Sequence, residues 1–183
     1  MRMRIVVGLL LTGVVWSASL GLANPSAAAV SREQIIGMLS GYESFPSAAQ
    51  WRALGTDAVP VLIEIANDGD ELMMRRTRAA AALGAFQDAR GTAALEAMAT
   101  ATGGPASLRR SALLALAQSD EAKATPVVEK ALGSPDPLLR QTAVKALSEM
   151  PGPAATELLQ AALAAEQEPF LRQQLERAIE ARR

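Results

Sequence analysis

The sequence predicts an all-α solenoid of about four to five stacked helix pairs, and three observations support this. Half of the residues are hydrophobic but only 3% are aromatic, a balance that suits closely packed helices. The stretch LLRQTAVKAL at 138–147 nearly repeats SLRRSALLAL at 107–116. Prolines 105, 137 and 169 recur at 32-residue intervals. A repeat of this period predicts units that bury their apolar faces by stacking on one another.

Four arginines anchor the repeat. Arg76, Arg109, Arg140 and Arg172 are separated by 33, 31 and 32 residues. With each arginine as position zero, apolar or small residues recur at −1, +3, +6 and +7, with Arg75 as the exception at −1. These positions share one face of a 3.6-residue helix, which predicts amphipathic helices. A faint fifth copy starting at Ser47 keeps only positions +6 and +7.

A second apolar segment lies between consecutive anchor helices. The four segments read AVPVLIEIA, GTAALEAMA, ATPVVEKAL and PAATELLQAAL, and each is long enough for about three turns of helix. The predicted unit is therefore helix, short turn, helix. The prolines fall just ahead of the anchor helices, where a missing N–H is tolerated, and Asp136 is expected to cap the third one.

The pattern LRxxAxxAL, with VPVLIE or TPVVEKAL in the partner helix, resembles the HEAT repeat family, particularly its short bacterial HEAT-like repeats. RTRAAAALG and LRQTAVKALS carry the resemblance most clearly, and it extends over residues 46–182. It implies a right-handed α-solenoid whose second helices line the concave side. Tetratricopeptide repeats have a similar period, but their Trp, Gly, Tyr and late Pro positions are not in register here.

The first 29 residues have the pattern of a secretory signal peptide. Arg2 and Arg4 form a basic n-region, residues 5–16 are mainly apolar, and Ala27-Ala28-Ala29 provides an A-x-A cleavage site. A weaker cleavage option follows Ala23. The alternative is an uncleaved membrane anchor over residues 5–23, which carry no charge and approach the length of a spanning helix. Both interpretations place the rest of the chain outside the cytoplasm, in the periplasm or secreted.

The remaining chain divides into two parts. Residues 30–45 are expected to form an N-terminal capping helix, since Ser31 and Gln34 have capping-box spacing. Tyr42 and Phe45 are expected to cover the first layer of the array. Residues 46–183 form the repeat array, and its last helix is polar, as a terminal cap requires.

Composition excludes several functional classes. The chain contains no cysteine and no histidine, which removes thiol nucleophiles, disulfides, imidazole bases and the common transition-metal ligands. We expect no catalytic residues, no cofactor and no bound metal. The net charge of −1 does not indicate nucleic acid as a partner. Cleavage before Val30 would leave 16 basic and 19 acidic residues, a charge of −3.

Candidate partner-binding residues come from positions that point away from the predicted core, at +1, +5 and +8 with +4 on the flank. Leu113 and Leu114 are unexpected there and predict a shallow docking groove, unless a slight helix rotation tucks Leu113 between layers. The MMRRTR stretch at 73–78 is a second candidate, although nearby acids can neutralise it. The candidate residues are Arg110, Leu113, Leu114, Gln141, Val144, Lys145, Arg75 and Arg78.

These features favour a non-enzymatic scaffold or adaptor that binds another protein outside the cytoplasm, as a monomer. One alternative is a membrane-tethered assembly factor, which requires residues 5–23 to remain attached. Another is an enzyme accessory similar to the HEAT-like subunits of bilin lyases. The di-iron hydroxylases among HEAT-like proteins need histidine ligands, so the resemblance does not extend to them.

Overall fold

The computed structural model describes residues 30–41 and 45–182, and every regular element in these ranges is an α-helix. The prediction of an all-α fold is confirmed. The predicted signal peptide and Tyr42 lie outside these ranges. The described helices are α1 (Arg32–Leu39), α2 (Ala48–Arg52), α3 (Ala58–Asn67), α4 (Met73–Leu83), α5 (Ala89–Thr100), α6 (Ala106–Ser119), α7 (Glu121–Leu132), α8 (Pro137–Glu149), α9 (Pro153–Ala165) and α10 (Pro169–Glu180).

Helices α3 to α10 form four helix pairs that stack into two layers. The pairs are α3 with α4, α5 with α6, α7 with α8, and α9 with α10. Helix α4 also packs on α6, α6 on α8, and α8 on α10, and we call these four the second-helix layer. Helices α3, α5, α7 and α9 form the first-helix layer in the same way. The predicted units thus form an α-helical solenoid.

The core lies between the layers and is built from the recurring small and apolar positions. Positions +3, +6 and +7 are buried in all four units. Alanine at +3 and +6 lets helix axes approach closely, while the larger residue at +7 fills the space between layers. The buried residues at these positions are Ala79, Ala82, Leu83, Ala112, Ala115, Leu116, Ala143, Ala146, Leu147, Leu175, Ala178 and Ile179.

Side-chain caps fix where several helices begin. Asp136 Oδ1 accepts the Leu138 N–H at 2.9 Å, which confirms the predicted cap of α8. Asp88 and Asp120 accept backbone N–H groups at the starts of α5 and α7. Pro137 occupies the first turn of α8, where its lack of an N–H leaves no hydrogen bond unmade.

The N-terminal helix α1 packs on α3 and α4. Ile35 and Leu39 are buried there, and Ser31 Oγ accepts the Gln34 N–H at 3.1 Å. The faint fifth copy contains only the five-residue helix α2, which buries Trp51. Phe45 lies beside that indole, with ring centroids 5.9 Å apart. Across the described ranges, none of the helices is both long and apolar enough to cross a membrane.

Candidate partner-binding site

A groove lies between α8 and α10 in the second-helix layer. Its volume is about 500 Å³. The aliphatic parts of Val144 and Ala178 form its floor, and both residues are largely buried. Longer polar side chains stand around that floor. The residues that define the groove are Gln141, Val144, Lys145, Ser148, Arg177 and Ala178.

The groove combines an apolar floor with a cationic rim. Lys145 is 61% exposed, and its Nζ is 3.8 Å from Glu149 Oε1, a weak surface pair. Arg177 is exposed on the opposite side. Among the described residues that line the groove, these two carry charge and neither an aspartate nor a glutamate is present. The groove therefore favours an anionic partner segment that carries an apolar side chain.

The alternative in which Leu113 is tucked between layers is confirmed, so Leu113 does not line a docking groove. Its side chain is completely buried, and Val144 at the same register is 4% exposed. A second-layer helix packs against a neighbour on each side in addition to its own partner, so its buried arc extends to position +4. Within the described ranges no further second-layer helix packs beyond α10, and Glu176, at position +4 of α10, is exposed. Of the two, only Val144 borders the groove.

The other predicted residues on α6 lie beside the groove and not in it. Leu114 is half-buried and packs against the core. Arg110 is also half-buried, with Nη1 at 4.0 Å from Asp136 Oδ2, which is at the limit of an ion pair. The structure therefore brings together Gln141, Val144 and Lys145, but it leaves Arg110 and Leu114 on the adjacent helix.

Arg75 and Arg78 fasten α1 to the array. Arg78 Nη1 donates to the carbonyl oxygens of Leu39 at 2.6 Å and Gly41 at 2.8 Å, at the C-terminal end of α1. Arg75 donates to Ser40 Oγ and to Glu71. The Arg75 hydrogen bond is the main cause of the lowered pKa of Glu71. These donors are occupied by intramolecular acceptors, which argues against a partner-binding role for Arg75 and Arg78.

Arg32 completes this junction from the side of α1. Its Nη2 atom lies 2.8 Å from Asp68 Oδ2 and 3.2 Å from Glu71 Oε2, and its Nε is 3.4 Å from Glu64. The acidic residues expected to neutralise the arginine stretch are therefore shared with α1. Because they connect residues far apart in sequence, these pairs could not be assigned from the sequence.

The arginine at position zero has backbone partners that sequence reasoning did not identify. In each unit it donates to a backbone carbonyl at or just beyond the end of the preceding first-layer helix. Such carbonyls have no partner within the helix, so a guanidinium there satisfies them and complements the helix dipole. The strict spacing of the arginines was the available signal. The pairs are Arg76 with Ala66, Arg109 with Ala101, Arg140 with Ser134, and Arg172 with Leu163.

A row of exposed apolar residues was also missed. Met74, Leu138 and Phe170 occupy position −2 in three of the four units and are 37%, 53% and 57% exposed. Position −2 lies on the same helix face as +1 and +5, near the start of each second-layer helix. Leu138 and Phe170 directly follow the recurring prolines, which was the signal that could have identified them. They extend the exposed face of α8 and α10 beyond the groove.

The described residues contain no group of three or more carboxylates, histidines or cysteines arranged to hold a metal ion. The groove side chains supply hydrogen bonds, apolar contact and positive charge, and these suit reversible association.

The fold and this surface define the class: a helical-repeat protein of stacked helix pairs, with an extended face available for binding. Residues 101–180, which include α6 to α10, match the model of the family described as HEAT repeats. HEAT repeats commonly mediate protein–protein interaction. No curated protein matches this chain. The matched stretch contains both walls of the α8–α10 groove.

Proposed function

We propose that this protein is an exported, non-enzymatic scaffold or adaptor that binds another protein through the α8–α10 groove. The observation that carries the proposal is the groove itself, with its apolar floor of Val144 and Ala178 between Lys145 and Arg177. Stacked helix pairs present such surfaces on a rigid support, so the binding groups need little ordering when a partner arrives.

The partner segment carries an apolar side chain flanked by acidic residues. An aliphatic or aromatic side chain would remove the exposed parts of the groove floor from water. Carboxylates beside it would face Lys145 and Arg177, which increases the association rate and disfavours basic partners. The exposed Phe170 and Leu138 provide further apolar area on the same face.

Export is proposed from the leader-like pattern of residues 1–29. Cell fractionation followed by N-terminal sequencing tests it. A mature chain beginning at Val30 in the soluble periplasmic or secreted fraction is the expected result. Recovery of intact Met1 in the membrane fraction would instead establish the tethered alternative, and recovery in the cytoplasm would contradict both.

Site-specific photocrosslinking in cells tests the groove. A photoreactive residue at Ser148, on the groove rim, is expected to capture a discrete partner. The same residue at Gln160, exposed on α9, serves as the position control. The Lys145→Glu, Arg177→Glu variant is expected to abolish capture from Ser148, because it repels an acidic segment.

A matched variant distinguishes the effect of charge in the groove from the effect of net charge on partner capture. Lys123→Glu with Lys130→Glu makes the same change in net charge on α7, where both lysines are exposed, and is expected to preserve capture. Equal loss in both double variants, with circular dichroism unchanged, would show that overall charge matters and the groove does not. Equal capture from Ser148 and Gln160 would likewise contradict the proposal.

A further inference from the structure

In one unit, the position-zero arginine forms an ion pair with a glutamate from the turn of the next unit. Arg140 Nε is 2.8 Å from Glu166 Oε2, and its Nη2 is 3.3 Å from Oε1, so the pair is bidentate. Arg140 is 20% exposed and Glu166 10%. The hydrogen bond from Arg140 is the main cause of the lowered pKa of Glu166. Glu166 belongs to the turn of the next unit, so the pair joins neighbouring units.

The register of the repeat shows that the same place near Arg76 lacks a carboxylate. Glu166 is the residue at which α9 ends, and its carbonyl oxygen accepts a hydrogen bond from Arg172 Nη1 at 3.0 Å. Ala101 ends α5 in the same way, and its carbonyl oxygen accepts from Arg109 Nη1 at 3.3 Å. Arg76 therefore has an alanine at the register where Arg140 meets Glu166. Arg76 Nε donates to Ala66 O at 3.0 Å. Within the described ranges its two terminal nitrogens have neither a hydrogen-bond partner nor an ion pair.

A cavity of about 250 Å³ lies at this place. Arg76 and Arg109 both line it, together with the apolar side chains of Met98 and Leu108. Arg109 Nε is buried and, among the described residues, makes no hydrogen bond. A buried donor without an acceptor is costly, so an incoming oxygen atom at this point would remove a penalty.

We propose that this cavity binds the carboxylate of a glutamate or aspartate side chain from the partner protein. Arg76 holds the carboxylate through its two terminal nitrogens, since its Nε already donates to Ala66 O. Arg109 Nε donates a further hydrogen bond, and the methylene groups of the side chain contact Met98 and Leu108. A guanidinium matches a carboxylate in bidentate geometry. The inference rests on the proposed function for the source of the side chain, while the cavity chemistry is tested without any partner.

The direct test uses nitrogen-15-labelled protein and a defined probe. N-acetyl-glutamate N-methylamide is titrated while the arginine Nε–Hε signals are followed by NMR. Arg76 and Arg109 are expected to shift saturably, with a dissociation constant on the order of 1 mM, and Arg140 is not. The glutamine analogue of the probe serves as the control. Equal shifts with both probes, or an equal shift of the exposed Arg52, would overturn the proposal, as would tighter binding of inorganic phosphate.

A variant can place the missing carboxylate inside the chain. Ala101 lines the cavity and is partly exposed, so a longer side chain can be accommodated there. Ala101→Glu is expected to shift the Arg76 Nε–Hε signal and to weaken probe binding at least about tenfold. Ala101→Gln is the matched control and is expected to retain binding. Unchanged probe affinity in Ala101→Glu would contradict the assigned position.

The partner experiment distinguishes failure of this site from failure of the groove. Ala101→Glu is expected to weaken photocrosslinking from Ser148, while Ala101→Gln is not. If capture is lost only in the Lys145→Glu, Arg177→Glu variant, the groove stands and a partner carboxylate on Arg76 is refuted. If wild-type protein captures no partner, the proposed function fails, while the probe titration still decides whether the cavity binds a carboxylate.

Discussion

Gly84 sets the distance between α4 and α6, and Gly84→Ala is expected to destabilise the array. A Cβ built on Gly84 would lie 3.0 Å from both the Cα and the carbonyl oxygen of Ala115, and 3.1 Å from its Cβ. Two of these atoms belong to the backbone of α6, so a rotamer change cannot relieve the contact. The backbone φ of Gly84 is −62°, which alanine adopts readily, so the expected effect is purely steric.

The magnitude follows from two opposing contributions. Overpacking by one methyl group in a close-packed interface costs about 1–3 kcal/mol. Replacing glycine with alanine also reduces the conformational entropy of the unfolded chain, which returns up to about 1 kcal/mol. The middle values of these two ranges give a net loss of about 1–2 kcal/mol. For a domain of this size, that corresponds to a Tm lower by about 2–8 °C.

Thermal unfolding followed by circular dichroism measures this change, and Gly37→Ala is the matched control. A Cβ at Gly37, inside α1, would meet no atom within 4 Å. Alanine there favours the helix by roughly 0.5–1 kcal/mol, so this variant is expected to keep or raise the Tm. An increase in Tm for Gly84→Ala as large as that for Gly37→Ala would show that α4 and α6 are not closely packed at Gly84.

Three further predictions test helix packing, capping and the α1 junction. Leu113→Ala is expected to cost about 2–5 kcal/mol in denaturant unfolding and Leu114→Ala clearly less; equal costs would contradict the difference in burial. Hydrogen bonding from Arg90 holds the pKa of Asp88 at about 2, below its value in the unfolded chain. Ionised Asp88 therefore stabilises the fold above about pH 4, and this stabilisation is lost as the pH falls through 2. Asp88→Asn should therefore flatten the acid-unfolding curve between these values, and an unchanged curve would show that the hydrogen bonds do not persist in solution. Arg78→Met is expected to speed hydrogen exchange in α1 but not in α8, whereas uniform speeding would contradict a local fastening role.

The fold could be predicted because its determinants are local and repeated. A small or apolar residue at +3, alanine at +6 and a larger apolar residue at +7 recur around each arginine, and 3.6-residue periodicity places them on one face. The fifth copy around Ser47 was harder to interpret, since it lacks the small residue at +3 and forms only the short helix α2. Helix boundaries also followed local chemistry, as the Asp136 cap shows.

The candidate site was predicted only in part, because the burial of a side chain in stacked helices depends on how many helices pack against its own helix. Helical periodicity assigned Leu113 and Val144 to the flank of a single helix. Both are buried because α6 and α8 each pack between two other second-layer helices. Likewise, the acceptors of Arg78 are backbone carbonyls of α1, 37 and 39 residues away in sequence. Such contacts depend on tertiary packing, which residue spacing does not encode.

The recurring arginine therefore has a constant structural role and a variable chemical one. In every unit it satisfies a carbonyl in the last turn of the preceding helix or just beyond it, and this explains why it recurs. The residues at the register of its remaining donors are Ala101 near Arg76, Ser134 near Arg109 and Glu166 near Arg140. Only the glutamate supplies a carboxylate from within the chain. Stacking therefore tolerates a unit without this ion pair, and at Arg76 the unused donors remain beside a cavity where a partner can supply the missing carboxylate.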